Sequence, residues 1–387
     1  MKFEPLSLKE QRAKISVIGV GGSGGNAINR MIEEGLTNVD FVAINTDAQD
    51  LENNNAQKKI QIGAELTGGL GAGAEPLSGK DAVEESKIAI INCLDGLNMV
   101  FITAGMGGGT GTGAAPEIAK ISKELNILTV GIVTKPFEFE GTQRMRRAME
   151  GIEEMYKYCD TMLAISNQAL MNMNDDLTLI DGFKFADNIL YQATSSIADL
   201  INKPGLINLD FADVKRIMKY KGDALMGTGI AQGEGRAIVA AQEAISSPLL
   251  QETKINGAMG LLVNISGPKN MRMHEVNEAV KIVNEEIADN ADIIFGYCFN
   301  DIKDEMRVTV IATGINKELL SRFNNSTNQN NELKEQQIPF EQKPKFLNKN
   351  DNIASNDKNE VNDENIVTFG GDDIETPAFL RMRDNNS

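Results

Sequence analysis

A single histidine, His274, serves the whole 387-residue chain, and tryptophan is absent. A Ser-His-Asp triad or a multi-histidine metal centre would have to rest on that one imidazole, so both are set aside. The three cysteines, Cys93, Cys159 and Cys298, stand far apart with no CxxC or zinc spacing. That removes a disulfide scaffold and a zinc ribbon, and suits buried thiols in a reducing compartment. No run of 18 apolar residues occurs, and the N-terminus, MKFEPLSLKEQRAK, lacks an apolar core. A soluble chain without an ordinary secretory leader is expected. Excess positive charge is missing too: the formal net charge is −17, and its field repels phosphate. Nucleic acid and anionic membrane are thereby excluded as bulk partners, and any phosphate ligand has to be held by local geometry such as backbone N–H groups. A Walker A loop is also lacking. The nearest candidate, Gly73 to Gly79-Lys80-Asp81, has five intervening residues where four are needed and an aspartate where Ser or Thr belongs.

Glycine is what the chain has in concentrated form. Gly21-Gly22-Ser23-Gly24-Gly25-Asn26 follows a short apolar, β-branched run at 14–20 and precedes an amphipathic stretch at 27–35. Glycine at a strand-to-helix junction lets a phosphate approach the backbone, and the helix start offers unpaired N–H donors. Gly19-x-Gly21-x-x-Gly24 also satisfies the dinucleotide pattern, with Asp47 after the next strand at a plausible distance for a ribose. On this loop alone a nicotinamide enzyme, another nucleotide binder and a ligand-free turn all stay open. A second loop, Gly105 to Gly113, packs six glycines into nine residues at another strand end and adds the hydroxyls of Thr110 and Thr112. Two such loops in one sheet suit the phosphate chain of a nucleoside triphosphate. A third, Gly68-Gly69-Leu70-Gly71-Ala72-Gly73, could close over the terminal phosphate.

Periodicity supplies the frame. Further strands are expected at 39–46, 97–105, 127–137 and 161–166, and helices at 114–125 and 143–159. The alternation predicts an α/β fold, a mostly parallel sheet with helices on both faces. A long helix over 179–202 ends at Pro204-Gly205. A smaller α+β unit follows: helix 211–220, a glycine-rich connection, helix 234–246, strand 258–266, helix 272–288, and strands 291–299 and 306–315. After Asn316 the chain is crowded with Asn, Lys, Glu and Asp, too polar to offset ordering entropy, so disorder is expected until the apolar patch in DIETPAFLRMR.

The stretches VIGVGGSGGNA, AINTDAQ, GLGAGAEP, ITAGMGGGTGTGAAP, KPFEFEGTQR and LINLDFADV resemble, in order, the nucleotide and polymerisation loops of the FtsZ family, and GGGTGTG is the signature shared with tubulins. The resemblance spans roughly 14–316 and 373–381. It implies a tubulin-like fold: an extension at 1–13, a GTP-binding domain at 14–178, a central helix at 179–203, a C-terminal α+β domain at 204–316, a disordered linker at 317–372 and a partner-binding tail at 373–383. It implies GTP/GDP as ligands, with Mg²⁺ carried by the phosphates and no direct protein ligand. Nucleotide contacts would come from Gly21, Gly22, Ser23, Gly24, Gly25, Asn26, Asn45, Asp47, Gly71, Ala72, Gly73, Gly107, Gly108, Gly109, Thr110, Gly111 and Thr112. Glu140 and Arg144 would lie on the ribose side, and Asp187 would take guanine, since one carboxylate accepts from both N1–H and the 2-amino group.

Asn208, Asp210 and Asp213 would act on the GTP of the next subunit. From the residues alone, Asp210 and Asp213 suit an N-cap and first-turn pair, and the two roles are compatible. The expected activity is a GTPase forming head-to-tail filaments in the cytoplasm at the division ring. Pro377, Phe379, Leu380 and Arg381 would bind membrane-tethering adaptors such as FtsA, although Glu375-Thr376 interrupt the family's usual DIPAFLR. Ser166-Asn167-Gln168 likewise stands where the family commonly has Pro-Asn-Asp.

Overall fold

The first half of the chain supplies β1 (Ile15–Val20), β2 (Asp40–Asn45), β3 (Lys58–Gln61), β4 (Met99–Gly105), β5 (Leu128–Lys135) and β6 (Thr161–Ser166). All pair in parallel, in the order β3-β2-β1-β4-β5-β6. This computed structural model describes residues 13–171, 178–202, 210–247, 250, 257–286, 291–299 and 304–315. All of these belong to one unit of the chain, Met1–Asn331. The extension at 1–12, the linker, the tail, Pro204-Gly205 and Asn208 lie outside the described residues.

A parallel sheet covered on both faces needs strands that are apolar on both sides, and β1 shows it. Ile15 and Val17 join one buried cluster, with Ala27, Ile28 and Met31 of helix α1 (Gly21–Glu33), while Ile18 and Val20 join another. The first cluster continues into α9 (Leu179–Asn202) through Ala186 and Leu190, and into α10 (Phe211–Met218) through Val214 and Ile217. The second is covered by α4 (Pro76–Glu85), α5 (Lys87–Leu94), α6 (Thr110–Glu124) and α7 (Thr142–Tyr156). Chain order reverses direction between β1 and β4. Open α/β sheets bind ligands in the crevice at such a switch point, outside the carboxyl ends of the strands.

The sheet carries on through β7 (Asp223–Gln232), β10 (Glu305–Ile315), β8 (Gly260–Gly267) and β9 (Asp292–Phe299). The β6–β7 seam is thin, with Met162 opposite Asp223 and Leu163 opposite Ala224. Beyond it β7 and β8 run antiparallel to β10. A third core cluster lies under α11 (Arg236–Ile245) and α12 (Met273–Glu285).

Strand β7 replaces part of the glycine-rich connection expected from sequence, and the glycines explain the difference. A Cβ on Gly227 would stand 2.0 Å from the Ala244 carbonyl oxygen, and one on Gly229 2.0 Å from that of Ala240. Here glycine makes room for α11 to lie on the strand and does not mark a turn. Gly229→Ala is expected to destabilise the fold by about 2–3 kcal/mol, read as a lower urea midpoint with an unchanged slope. An unchanged midpoint would contradict this packing.

Candidate active site

Both main glycine loops turn out to be helix starts. Gly21 to Gly25 form the first turn of α1, directly after β1, and Thr110 opens α6 with Gly109 at its N-cap position. Glycine is a poor helix former, so tertiary contact explains its presence. A Cβ on Gly24 would meet the Thr103 carbonyl oxygen at 2.5 Å, and one on Gly111 the Gly105 carbonyl oxygen at 2.6 Å. The two turns also meet each other, since a Cβ on Gly21 would lie 3.1 Å from the Gly111 nitrogen. Neither helix start carries a side-chain cap. Two uncapped N-termini, with their free N–H groups and positive dipole ends, therefore converge at the carboxyl ends of β1 and β4.

They border a cavity of about 410 Å³. Gly21, Gly22, Ser23 and Asn26 line it from α1, and Gly108, Gly109, Thr110 and Gly111 from the second loop. Glu140, Arg144 and Asp187 line it too, although they are scattered over the sequence. Glu140 sits in a single 3-10 turn, where its Oε1 accepts from the Phe137 N–H (2.9 Å) and its Oε2 pairs with Arg144 Nε (3.1 Å). A Cβ on Gly107 would be 2.7 Å from Arg144 Cγ, so the glycine loop passes directly over this arginine. Asp187 projects from α9. Burial pushes its carboxyl up from the ordinary range to about 7, against the opposing influence of the Arg30 guanidinium.

Other sequence-predicted residues serve the site from behind. Gly24 packs against the sheet as described, while Gly25 and Asn45 border a smaller adjoining cavity together with Asp50. Asn45 donates through Nδ2 to Asp50 Oδ2 (3.2 Å). Asp47 caps α2 (Ala48–Glu52), accepting from the Gln49 and Asp50 N–H groups. Thr112 accepts from the Gly107 N–H (2.8 Å) and so closes the second loop. Gly71, Ala72 and Gly73 do not line the cavity but flank it, with a Cβ on Gly109 falling 2.8 Å from Ala72 Cβ.

The structure adds lining residues to those expected to contact the nucleotide, the first of them within the Ser166-Asn167-Gln168 stretch that departs from the family's usual Pro-Asn-Asp. Asn167, at the carboxyl end of β6, is buried, and among the described residues its Oδ1 has no hydrogen-bond partner. A buried orphan acceptor beside a cavity fits a ligand that donates hydrogen bonds. Its neighbour Gln168 accepts through Oε1 from the Glu138 N–H (3.3 Å), which ties β6 to the turn that carries Glu140. Phe183 stands edge-on to Phe137 (5.2 Å, 86°), and Phe137 stacks on Phe139 (5.0 Å, 13°). Phe183 thus offers a supported aromatic surface to a planar group. Helical spacing would have found it: Phe183 precedes Asp187 by four residues, on the face that Asp187 already marks.

Asp210 and Asp213 do not line this cavity. Asp210 is exposed and caps α10, its Oδ1 accepting from the N–H groups of Ala212 (2.8 Å) and Asp213 (3.2 Å). Asp213, in the first turn, is half-buried.

Residues 14–175 match the Tubulin/FtsZ family, GTPase domain, and residues 222–316 the FtsZ family, C-terminal domain. Among solved structures the chain is similar to an empty FtsZ dimer from M. jannaschii, with a TM-score of 0.76 and 44% identity over 79% of this chain and 90% of that one. It shares a fold with CetZ2 from Haloferax volcanii, at a TM-score of 0.66 and 20% identity over 83% of this chain and 99% of that one.

Proposed function

Since this chain belongs to the tubulin/FtsZ family, on its FtsZ branch, we propose that it is a GTP-dependent polymerising protein that hydrolyses GTP to GDP and phosphate where successive subunits meet. One observation carries the nucleotide half of this reading: two uncapped helix N-termini and the half-buried Asp187 carboxyl line a single cavity. The first two would receive a phosphate chain. The carboxyl would take the donor edge of guanine, and the orphaned Asn167 Oδ1 another donor of the base or ribose. Glu140 and Arg144 line the same cavity and would meet the ribose.

Mg²⁺ would be held by the phosphate oxygens. Among the described residues no group of three or more His, Cys, Asp or Glu is placed to hold a metal. The ion would neutralise charge that builds up on the phosphates as the bond breaks.

The interface half rests on the placement of the acids. Asp210 and Asp213 do not line the cavity of their own subunit, yet they are mounted on a capped, rigid helix start. From there they would orient water against the terminal phosphate of the next subunit, together with Asn208. Their part would be to position the attacking water, which is where an oriented site gains most over free solution. Around the third glycine loop, Leu66, Leu70 and Leu77 stand exposed (52%, 86% and 61%) and give an apolar rim for that neighbour. The M. jannaschii relative is itself described as a dimer. A head-to-tail contact that does not close on itself yields a filament. The tail around Pro377, Phe379, Leu380 and Arg381 would tether such filaments to adaptors such as FtsA at the cytoplasmic division ring.

Right-angle light scattering and phosphate release, followed together after adding GTP and Mg²⁺, test this over a dilution series. The rate per subunit is expected to be negligible at low protein concentration and to rise together with scattering. A rate per subunit independent of dilution would place the whole reaction centre in one molecule.

A further inference from the structure

We infer that Lys80 of α4 and Glu117 of α6 are a positioning pair, latching α4 against α6 so that the loop 68–73 is held over the terminal-phosphate end of the cavity. This rests on the GTPase reading above and adds two residues that lie outside the cavity lining.

Gly109, Gly113 and Glu117 recur at four-residue spacing, so they share the face of α6 that meets α4. At the first two positions the backbones themselves touch. A Cβ on Gly113 would lie 1.9 Å from the Pro76 carbonyl oxygen and 2.9 Å from the Lys80 nitrogen. One on Gly109 would meet the Glu75 nitrogen at 2.9 Å, and reciprocally one on Gly79 would meet the Gly109 carbonyl oxygen at 2.5 Å. One turn on, the glycines give way to a buried charge. The Glu117 side chain is 4% exposed, and Lys80 Nζ reaches it across the helix interface at 2.8 Å. Lys120 also reaches Glu117, at 3.4 Å, but from Glu117's own helix. Burial opposes ionisation of Glu117, and the two lysines outweigh it, leaving the carboxyl below its usual range.

The loop 68–73 runs straight into α4 and has little hold of its own. Gly68, Gly69, Gly71 and Gly73 all have positive φ, as does Ala74 (60°), and Leu70 is 86% exposed. On the other side it is held at Gly69 and Leu70, by a bridge between Asp47 and Leu70, the Ala48 N–H donating to the Gly69 carbonyl, and the Gly69 and Leu70 N–H groups donating to Thr67. The Gly71–Gly73 end, next to α4, goes where that helix goes. If α4 shifts on α6, the contact of Ala72 with Gly109 shifts with it, and a terminal phosphate would lose its lid while the rest of the nucleotide kept its contacts.

The two lysines separate this role from plain charge compensation. Lys80→Met removes the tether between helices and leaves Glu117 paired with Lys120, so the fold survives. Lys120→Met removes a comparable ion pair that joins nothing across the interface. Hydrogen exchange of the nucleotide-free, full-length protein is expected to show the amides of 68–75 exchanging about tenfold faster in Lys80→Met and unchanged in Lys120→Met. Phosphate release should fall about tenfold in Lys80→Met at saturating GTP, with GDP affinity within about twofold of the wild type. Glu117→Gln should behave as Lys80→Met does. Equal exchange in the two lysine variants, or a parallel loss of GDP affinity and turnover, would overturn the latch. Absence of phosphate release from the wild type would overturn the GTPase reading instead, and the exchange comparison would still decide the latch.

Discussion

Asp213→Ala is expected to lower phosphate release about a hundredfold or more while the subunit goes on binding GTP as tightly as before. The separation follows from where the residue stands. Asp213 does not line its own subunit's cavity, so its removal leaves every nucleotide contact of that subunit in place. Its structural duty is small as well, because Asp210 and not Asp213 supplies the capping oxygen of α10. Losing a first-turn carboxylate forgoes about 0.3–1 kcal/mol of dipole interaction, too little to unfold the helix. Asp210 is less clean to test. Asp210→Ala would also orphan the Ala212 N–H, at about 1 kcal/mol, and leave the Asp213 N–H only the Asp210 backbone carbonyl, whereas Asp210→Asn keeps an acceptor and removes only the charge. Both acids are therefore best examined by single-turnover phosphate release beside equilibrium GTP binding. An Asp213→Ala protein with near-normal turnover, or one that no longer bound GTP, would end the case for a site completed by the neighbouring molecule.

What the sequence made legible follows from how much each residue depends on its immediate neighbours. The glycine-dense loops were plain because so much glycine at a strand end has few other uses, and the strands before them were plain because parallel strands are apolar on both faces. The limits of those loops were misplaced: Gly21–Gly25 and Thr110–Gly113 are helical, against local propensity, because the contacts that require glycine come from Thr103 and Gly105 on other elements. The same distant cause hid β7, where Gly227 and Gly229 answer to α11. In the candidate site, Asp187, Glu140 and Arg144 carry no local signature. On sequence Arg144 and Asp187 would pass for solvated charges, and only the family resemblance selects all three. Asn167 lies in the Ser166-Asn167-Gln168 stretch that the family pattern singles out, but the unpaired buried atom that distinguishes it is a property of the folded chain. The α4–α6 contact is likewise invisible until both helices are placed, although the four-residue spacing of Gly109, Gly113 and Glu117 is written in the sequence.

Guanine selectivity is expected to weaken as pH falls below about 7, because the group proposed to read the base titrates there. Burial raises the Asp187 carboxyl from 3.8 to about 7 in the nucleotide-free protein. Guanine offers two donors, N1–H and the 2-amino group, and only the carboxylate can accept both; the protonated acid presents a donor against a donor. Binding therefore expels the proton, and the preference for GTP over ATP should drop toward tenfold per pH unit below the transition, with a plateau above it. Taking the ratio of the two nucleotides cancels the titration of their shared phosphates. Asp187→Asn should make the ratio flat with pH, and Asp187→Ala should lower GTP affinity about a hundredfold, as expected when a charged acceptor is removed from two donors. The stability of the empty protein runs in the matching direction. The unfolded chain ionises this group near 4 and the folded chain near 7, so between those values the native state holds the extra proton. That contribution is fully present below about 4 and is lost as pH rises to about 7, visible as a falling urea midpoint that Asp187→Asn removes. A wild-type GTP-to-ATP ratio that stays constant from pH 5.5 to 8.5 would show that Asp187 does not meet the guanine edge.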